Sequence, residues 1–432
     1  MVELNWLLFC FLFLYVGQSA FNVCVERLNL IHSLRRADKA PAGFEEFIDE
    51  SKLARASEYA RAKTRVGILD EIVSDVTLLM ILLSGLLPLI VRWSDKLGLS
   101  LIAAGLLFFF VPGLIQFLVE LPFSYYNTFV VEQEFGFNRS TLQLWTIDLI
   151  KGGLVSAVLF AAIFSILLLS ISWSPRFWWF WGFLLLSAVQ LVMAILYPVL
   201  LAPLFNKFEP VGDEELSAKI GAQMEKNGIR VKKILQMNAG IRSRHTNAYF
   251  TGIGKTKRIV LFDTLIESHT HEEILAVLAH EAGHFRKKHV LKQLLIFASL
   301  SLAAFYATWF FIQWPVLFST FGFSAPLPYV GLFLAGVFWR KAGFFLQPLY
   351  MMISRRFERE ADIFAAEMLG GGAAMAGAMK RLAADNLSNL NPHPLYVWFH
   401  YSHPPIVERV TLLEGTEGNT NSRQAIFKGT DL

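Results

Sequence analysis

Long apolar runs alternate along this chain with shorter polar and basic stretches. A bilayer core takes about 20 apolar residues per helix, and runs of that length fall at 5–25, 72–92, 97–119, 152–172, 178–202, 291–313 and 327–349. The pattern predicts a mainly α, polytopic membrane protein with seven transmembrane helices. The first run is read as a retained span, because its leader MVELN carries Glu3 and no Lys or Arg, whereas a secretory signal opens with positive charge. Between the fifth and sixth runs the periodicity changes. Stretches 231–238, 246–253 and 257–266 read as short strands, and 268–289 as an amphipathic helix with Ser268 as N-cap and Glu272 and Glu273 in its first turn. After the seventh run, SRRFEREADIFAAEMLGGG is a further amphipathic helix stopped by Gly370, Gly371 and Gly372. The expected division is 1–202, an N-terminal region of five spans; 203–290, a small α+β unit; 291–349, spans six and seven; 350–414, a C-terminal helical part; and 415–432, a flexible polar tail.

Composition fits this reading. The chain is 54% apolar and 17% charged, with a mean hydropathy of +0.46, whereas a soluble domain is about half apolar and about a quarter charged. Cys10 and Cys24 lie in or beside the first run, so any metal must rely on His, Asp or Glu. The net charge of +4 points to basic loops on one side of a membrane rather than to a nucleic-acid surface. Arg27, Arg35, Arg36, Lys39, Lys52, Arg55, Arg61, Lys63 and Arg65 follow the first run, and Lys207, Lys232, Lys233, Arg242, Arg286, Lys287 and Lys288 crowd 203–290. The opposite loops, RWSDK, SWSPR and QWPVLFSTFGFSAP, are short and poor in charge. The positive-inside rule therefore puts the N-terminus outside or in a lumen, and the 203–290 unit and the C-terminus in the cytoplasm.

The candidate chemistry lies in HEAGH. His280 and His284 are four residues apart, about 40° apart around a helix, and can converge on one ion. Glu281 stands where a zincin keeps its general base, beside a water that zinc acidifies. Catalytic zinc takes a third protein ligand. His289 is five residues past His284, about 140° round a continuous helix, and faces elsewhere. The better candidate is Glu358 in RRFEREAD, with Asp362 on the same helix face to orient a ligand histidine. The competing reading of these two acids is a solvated stripe facing Arg355, Arg356 and Arg359.

The motifs LPFSYYNTFVVEQEFGFNRST (121–141), APLFNKFEPV (202–211), TNAYFTGIGKTKRIVLFDTLI (246–266), HEAGH (280–284), SRRFEREADIFAAE (354–367) and HYSHPPIVERV (400–410) together resemble the CAAX prenyl protease 1 family of integral-membrane zinc endopeptidases. The resemblance implies a gluzincin-like unit with one Zn2+ per chain held by His280, His284 and Glu358, Glu281 as the catalytic glutamate, and Asp362 behind a ligand. It also implies that Asn247 and Ala248 lie on an edge strand that takes substrate backbone, that His403 steadies the oxyanion, and that Arg409 contacts substrate. The seven helices would form a chambered barrel around the site. Arg340 and Lys341, deep in the seventh run, would line that chamber, the alternative being to snorkel outward. The expected substrate is a peptide or protein, prenylated at its C-terminus where the family's activity carries over, in an endoplasmic reticulum or bacterial inner membrane. FKGTDL is not the basic retrieval signal common in reticulum members.

Three other readings compete. A quality-control protease of the HtpX type shares the zinc motifs and needs no prenyl group, but has fewer spans. A site-2-type protease keeps its motif inside a lipid-spanning helix, whereas here FRKKH follows at once. A transporter or channel would show paired broken helices in two similar halves, which are not evident. TGIGKT is not a P-loop, since Tyr249 stands where glycine is needed.

Overall fold

A computed structural model describes residues 2–37, 39–252 and 257–415. The expected tail from residue 416 onward, and Gly254 of the 251–256 turn, lie outside the described residues. Among the described residues, five helices, Trp6–Arg35, Leu101–Glu134, Leu142–Trp173, Trp178–Phe205 and His289–Phe311, are long and apolar enough to cross a membrane. Two bent pairs, Glu50–Leu83 with Leu86–Lys96 (53°) and Pro328–Phe344 with Gln347–Leu369 (58°), raise the number to seven if each is one span.

Several helices outrun the apolar runs that announce them, because a helix continues wherever caps and propensity allow. The basic stretch after the first span is accordingly no loop: Arg55 to Arg65 lie on a helix that starts at Glu50, with Asp49 as its N-cap. Each bend has a local cause. Gly85 adopts φ +80 and ends one arm of the first pair, and Pro348 opens the second arm of the other, where its missing N–H is harmless.

The apolar windows of the Leu101–Glu134, Leu142–Trp173, Trp178–Phe205 and His289–Phe311 spans are only 22%, 17%, 0% and 6% buried. Phe160, Leu191, Val199 and Leu300 are exposed, so these helices present apolar surface on more than the one stripe that a packed bundle needs.

The polar unit is a four-stranded sheet in the order β1 (Phe208–Pro210), β2 (Lys233–Met237), β4 (Arg258–Phe262) and β3 (Ala248–Thr251). β2 and β4 pair in parallel, while β1–β2 and β3–β4 are antiparallel. β1 and the helix Glu214–Lys226 are not foreseen from sequence. β1 has only three residues, too few for a period to register. The expected 257–266 strand stops at Phe262 and turns into a short helix, Asp263–Ser268. The next helix, His271–Arg286, is therefore capped by Thr270 and not Ser268. Thr270 and Glu273 satisfy each other's backbone N–H in a capping box. One apolar core, with Leu216, Ile220, Ile259, Leu261, Leu278 and Ala282, joins sheet and helices.

Arg340 and Lys341 separate from each other. Lys341 is buried between spans, where its ammonium donates to Gln18 Oε1 (2.8 Å), Ser19 Oγ (2.9 Å) and the Asp75 carboxylate, and lies 4.2 Å from the Tyr15 ring centroid. Arg340 keeps 58% of its side chain exposed, 3.9 Å from Asp75. Both border a polar cavity of about 440 Å³. The expectation that Lys341 simply lines an interior space lacked its counter-ion: Asp75 lies inside the second apolar run, more than fifty residues from its partners in sequence.

Candidate metal centre

The helices His271–Arg286 and Gln347–Leu369 cross at a point fixed by Gly283. A Cβ on Gly283 would lie 2.9 Å from Ala361 Cα and 3.0 Å from Ala361 O, closer than such atoms approach. This contact lets the two backbones touch, and it sits one residue before His284 and three after Glu358. The glycine of HEAGH thus has a structural reason that the zinc motif alone does not supply.

Three donor atoms converge there. His280 Nε2 and His284 Nε2 are 3.2 Å apart, and each is 3.3 Å from an oxygen of Glu358. Tetrahedral coordination with metal–ligand distances of about 2.0–2.1 Å separates neighbouring donors by about 3.3 Å; the nitrogens match that spacing with each other and, each through a different oxygen, with the Glu358 carboxylate. Among the described residues this is the one group of three His, Cys, Asp or Glu able to hold an ion. Glu358 Oε2 is buried without a hydrogen-bond partner, a state that needs an explanation in a native interior and that a cation would supply. The donor set of two imidazoles and a carboxylate suits zinc. The solvated-stripe reading fails, since Glu358 is 6% and Asp362 0% exposed.

Behind His280 stands Asp362, whose Oδ1 lies 2.8 Å from Nδ1. Arg409 grips both oxygens of Asp362 at 2.6 and 2.8 Å. The guanidinium expected to meet substrate thus engages Nε and one Nη with a carboxylate. Burial works against charge on His280, but the neighbouring carboxylates of Asp362 and Glu358 outweigh it and raise its pKa to about 9. A cation binding there must displace that proton. Glu281 makes no hydrogen bond or ion pair to a described residue, and burial raises its pKa, only partly offset by the charges of His280 and His284. That direction suits a proton acceptor working near neutrality.

His403 joins the cluster from the C-terminal part. Its Nε2 is 3.3 Å from Glu358 Oε1, and Ser402 Oγ is 2.8 Å from its Nδ1. Arg355 holds the segment that carries it, donating to the carbonyls of Val397 (2.9 Å) and Tyr401 (2.8 Å). β3 is a sheet edge packed along the HEAGH helix, with Ala248 in the same core as Leu278 and Ala282. Asn247 carbonyl accepts from Phe262 N–H (3.0 Å), and Asn247 Oδ1 accepts from Ala248 N–H (2.8 Å).

His289 is brought back to the site, against the helical projection. The HEAGH helix ends at Arg286, Lys288 takes a left-handed φ of 58°, and a new helix starts at His289. His289 Nδ1 then lies 3.0 Å from His284 Nδ1. Nothing in the sequence signals this break, since non-glycine residues at positive φ are uncommon.

Comparison with known proteins agrees with the geometry. The family model for the CAAX prenyl protease N-terminal region, with five membrane helices, matches residues 30–207, and that for peptidase family M48 matches 210–417. The chain is 34% identical over 406 residues to CAAX prenyl protease 1 of Saccharomyces cerevisiae, covering 87% of this chain and 88% of that protein. It is 34% identical over 392 residues to the CAAX prenyl protease 1 homolog of Arabidopsis thaliana, covering 87% and 90%. Among solved structures, that of S. mikatae Ste24p superposes with a TM-score of 0.84 at 31% identity, over 93% of this chain and 99% of that one.

Proposed function

The chain belongs to the CAAX prenyl protease group of peptidase family M48, and on that premise we propose that His280, His284 and Glu358 hold one zinc ion at which peptide bonds are hydrolysed. The protein is a multi-pass membrane metallopeptidase. The observation that carries the site assignment is the convergence of His280 Nε2, His284 Nε2 and the buried Glu358 carboxylate, with the two nitrogens 3.2 Å apart and each 3.3 Å from one of its oxygens.

Zinc bound there supplies a Lewis acid that polarises a peptide carbonyl and acidifies water. The chain's own residues do the rest. Glu281, half-buried and without a hydrogen bond to a described residue, takes the proton of the attacking water and delivers it to the leaving amine nitrogen. His403 donates to the oxyanion that develops on the carbonyl. Asp362 fixes the tautomer of His280, and Arg409 acts through Asp362. β3 takes the substrate backbone as an added strand, with Ala248 N–H exchanging its bond to Asn247 Oδ1 for one to the peptide.

The low burial of four spans supports a single-layer wall around an interior chamber, apolar toward lipid outside. The basic residues support a cytoplasmic metal unit and C-terminus. The proposed substrates are proteins prenylated at a C-terminal CAAX sequence, as the relatives' names state for them. Matched farnesylated and unfarnesylated CAAX peptides, with and without a chelator, test this on purified protein. Chelator should abolish cleavage, and the farnesylated peptide should be preferred. Equal cleavage of both would remove the prenyl requirement, and cleavage indifferent to chelator would remove the metal.

A further inference from the structure

We infer that His289 and Glu360 are positioning residues for the metal centre, forming a relay that fixes the tautomer and orientation of His284. The inference rests on His284 being a ligand through Nε2. An imidazole that ligates through Nε2 is neutral and carries its proton on Nδ1, which then needs an acceptor. For His280 that acceptor is Asp362. For His284 it is an imidazole: His289 Nδ1, at 3.0 Å. For His289 to accept at Nδ1, its own proton must sit on Nε2, and Nε2 lies 3.1 Å from Glu360 Oε2. A single set of proton positions therefore satisfies the whole chain, from His284 Nδ1–H to His289 Nδ1, and from His289 Nε2–H to Glu360.

The relay is held from several sides. His289 is 1% exposed, and its ring stacks on Phe357, the residue before Glu358, at 4.4 Å and 9°. Glu360 is also approached by Arg356 (3.4 Å) and Lys292 (3.6 Å). His289 is the first residue of the His289–Phe311 span, so the relay ties the orientation of a metal ligand to the root of a membrane helix.

The test uses the full-length chain in detergent. Zn2+ affinity is measured by chelator competition, Co2+ geometry by visible absorption of the Co2+-loaded protein, and folding by thermal melting. His289→Phe keeps the stacked ring and removes the acceptor; it should lower Zn2+ affinity about 10- to 100-fold and shift the Co2+ bands at little change in melting. His289→Asn places Oδ1 near the position of Nδ1 and should recover most of the affinity. Glu360→Ala should show a smaller loss. Parental affinity and Co2+ spectrum in His289→Phe, or equal losses in His289→Phe and His289→Asn, would overturn the relay. If His289→Phe does not fold, Glu360→Ala decides: lowered affinity at unchanged melting supports the relay, and parental affinity overturns it. His280→Ala is the control for the ligand set, since parental Zn2+ affinity there would overturn that assignment and not the relay alone.

Discussion

The two arms of one bent helix pair carry two buried polar clusters of opposite design. On Pro328–Phe344, Lys341 meets Asp75, Gln18 and Ser19, and all three N–H bonds of its ammonium find acceptors. On Gln347–Leu369, beyond the 58° bend, Glu358 lies 3.3 Å from each of His280, His284 and His403, and its Oε2 still makes no hydrogen bond. The first cluster is closed: opposite charges cancel and each donor is used, which lets three helices share polar groups inside a membrane. The second is open, with donor atoms facing a common point rather than one another's protons. A buried network that closes on itself holds helices together, whereas one that leaves acceptors convergent is built around something else.

The largest expected effect breaks the open cluster chemically while sparing the fold. Glu281→Gln keeps size and polarity and removes the proton acceptor; peptide cleavage should fall by about 10²- to 10⁴-fold while Zn2+ stoichiometry, read by atomic absorption, stays at the parental value. Normal turnover would end the general-base assignment. The closed cluster should answer in stability. Lys341→Met leaves Asp75 buried without its main counter-ion and should cost about 3–5 kcal/mol, seen as a lower melting temperature. Pairing it with Asp75→Leu should recover most of that loss, since a buried ion pair replaced by apolar residues of similar volume is often neutral. If the double variant melts as low as the single, the pair does more than balance charge.

The smallest effect sharpens the comparison from the backbone side. Gly283→Ala gains about 1 kcal/mol in helix propensity, yet the added methyl meets the Ala361 backbone at 2.9 Å, and overpacking of that kind costs about 1–3 kcal/mol. A net loss below about 2 kcal/mol is expected by melting, with weaker Zn2+ binding because His284 and Glu358 are pushed apart. The same substitution should not touch the Lys341 cluster, so its effect on metal should exceed its effect on fold.

Much of the site was legible in one dimension, but unevenly. HEAGH carries the two proposed ligand histidines and the proposed base within one helical turn, where spacing sets geometry, and such residues can be read directly. Glu358 and Asp362 share a face by the same rule, but spacing could not separate a candidate ligand and its supporting acid from a solvated stripe, and only burial and the contacts with His280 did. Arg409 was legible as part of the site only through family resemblance, and its grip on Asp362 appears only when a helix from the end of the chain packs against Gln347–Leu369. His289 was misread because the projection assumed an unbroken helix through Lys288.

By itself the sequence determined the seven apolar segments, the loops in which basic residues collect, and the HEAGH motif with its glutamate, because hydropathy and helical spacing act over a few residues at a time. The tertiary structure decided which acids are buried, which cation Asp75 neutralises, where two helices come close enough at Gly283 for three donors to converge, and how His289 returns to His284. Each of these depends on segments tens to hundreds of residues apart being pressed together, or on one residue taking a backbone angle that its side chain does not announce. Local patterns carry no record of either.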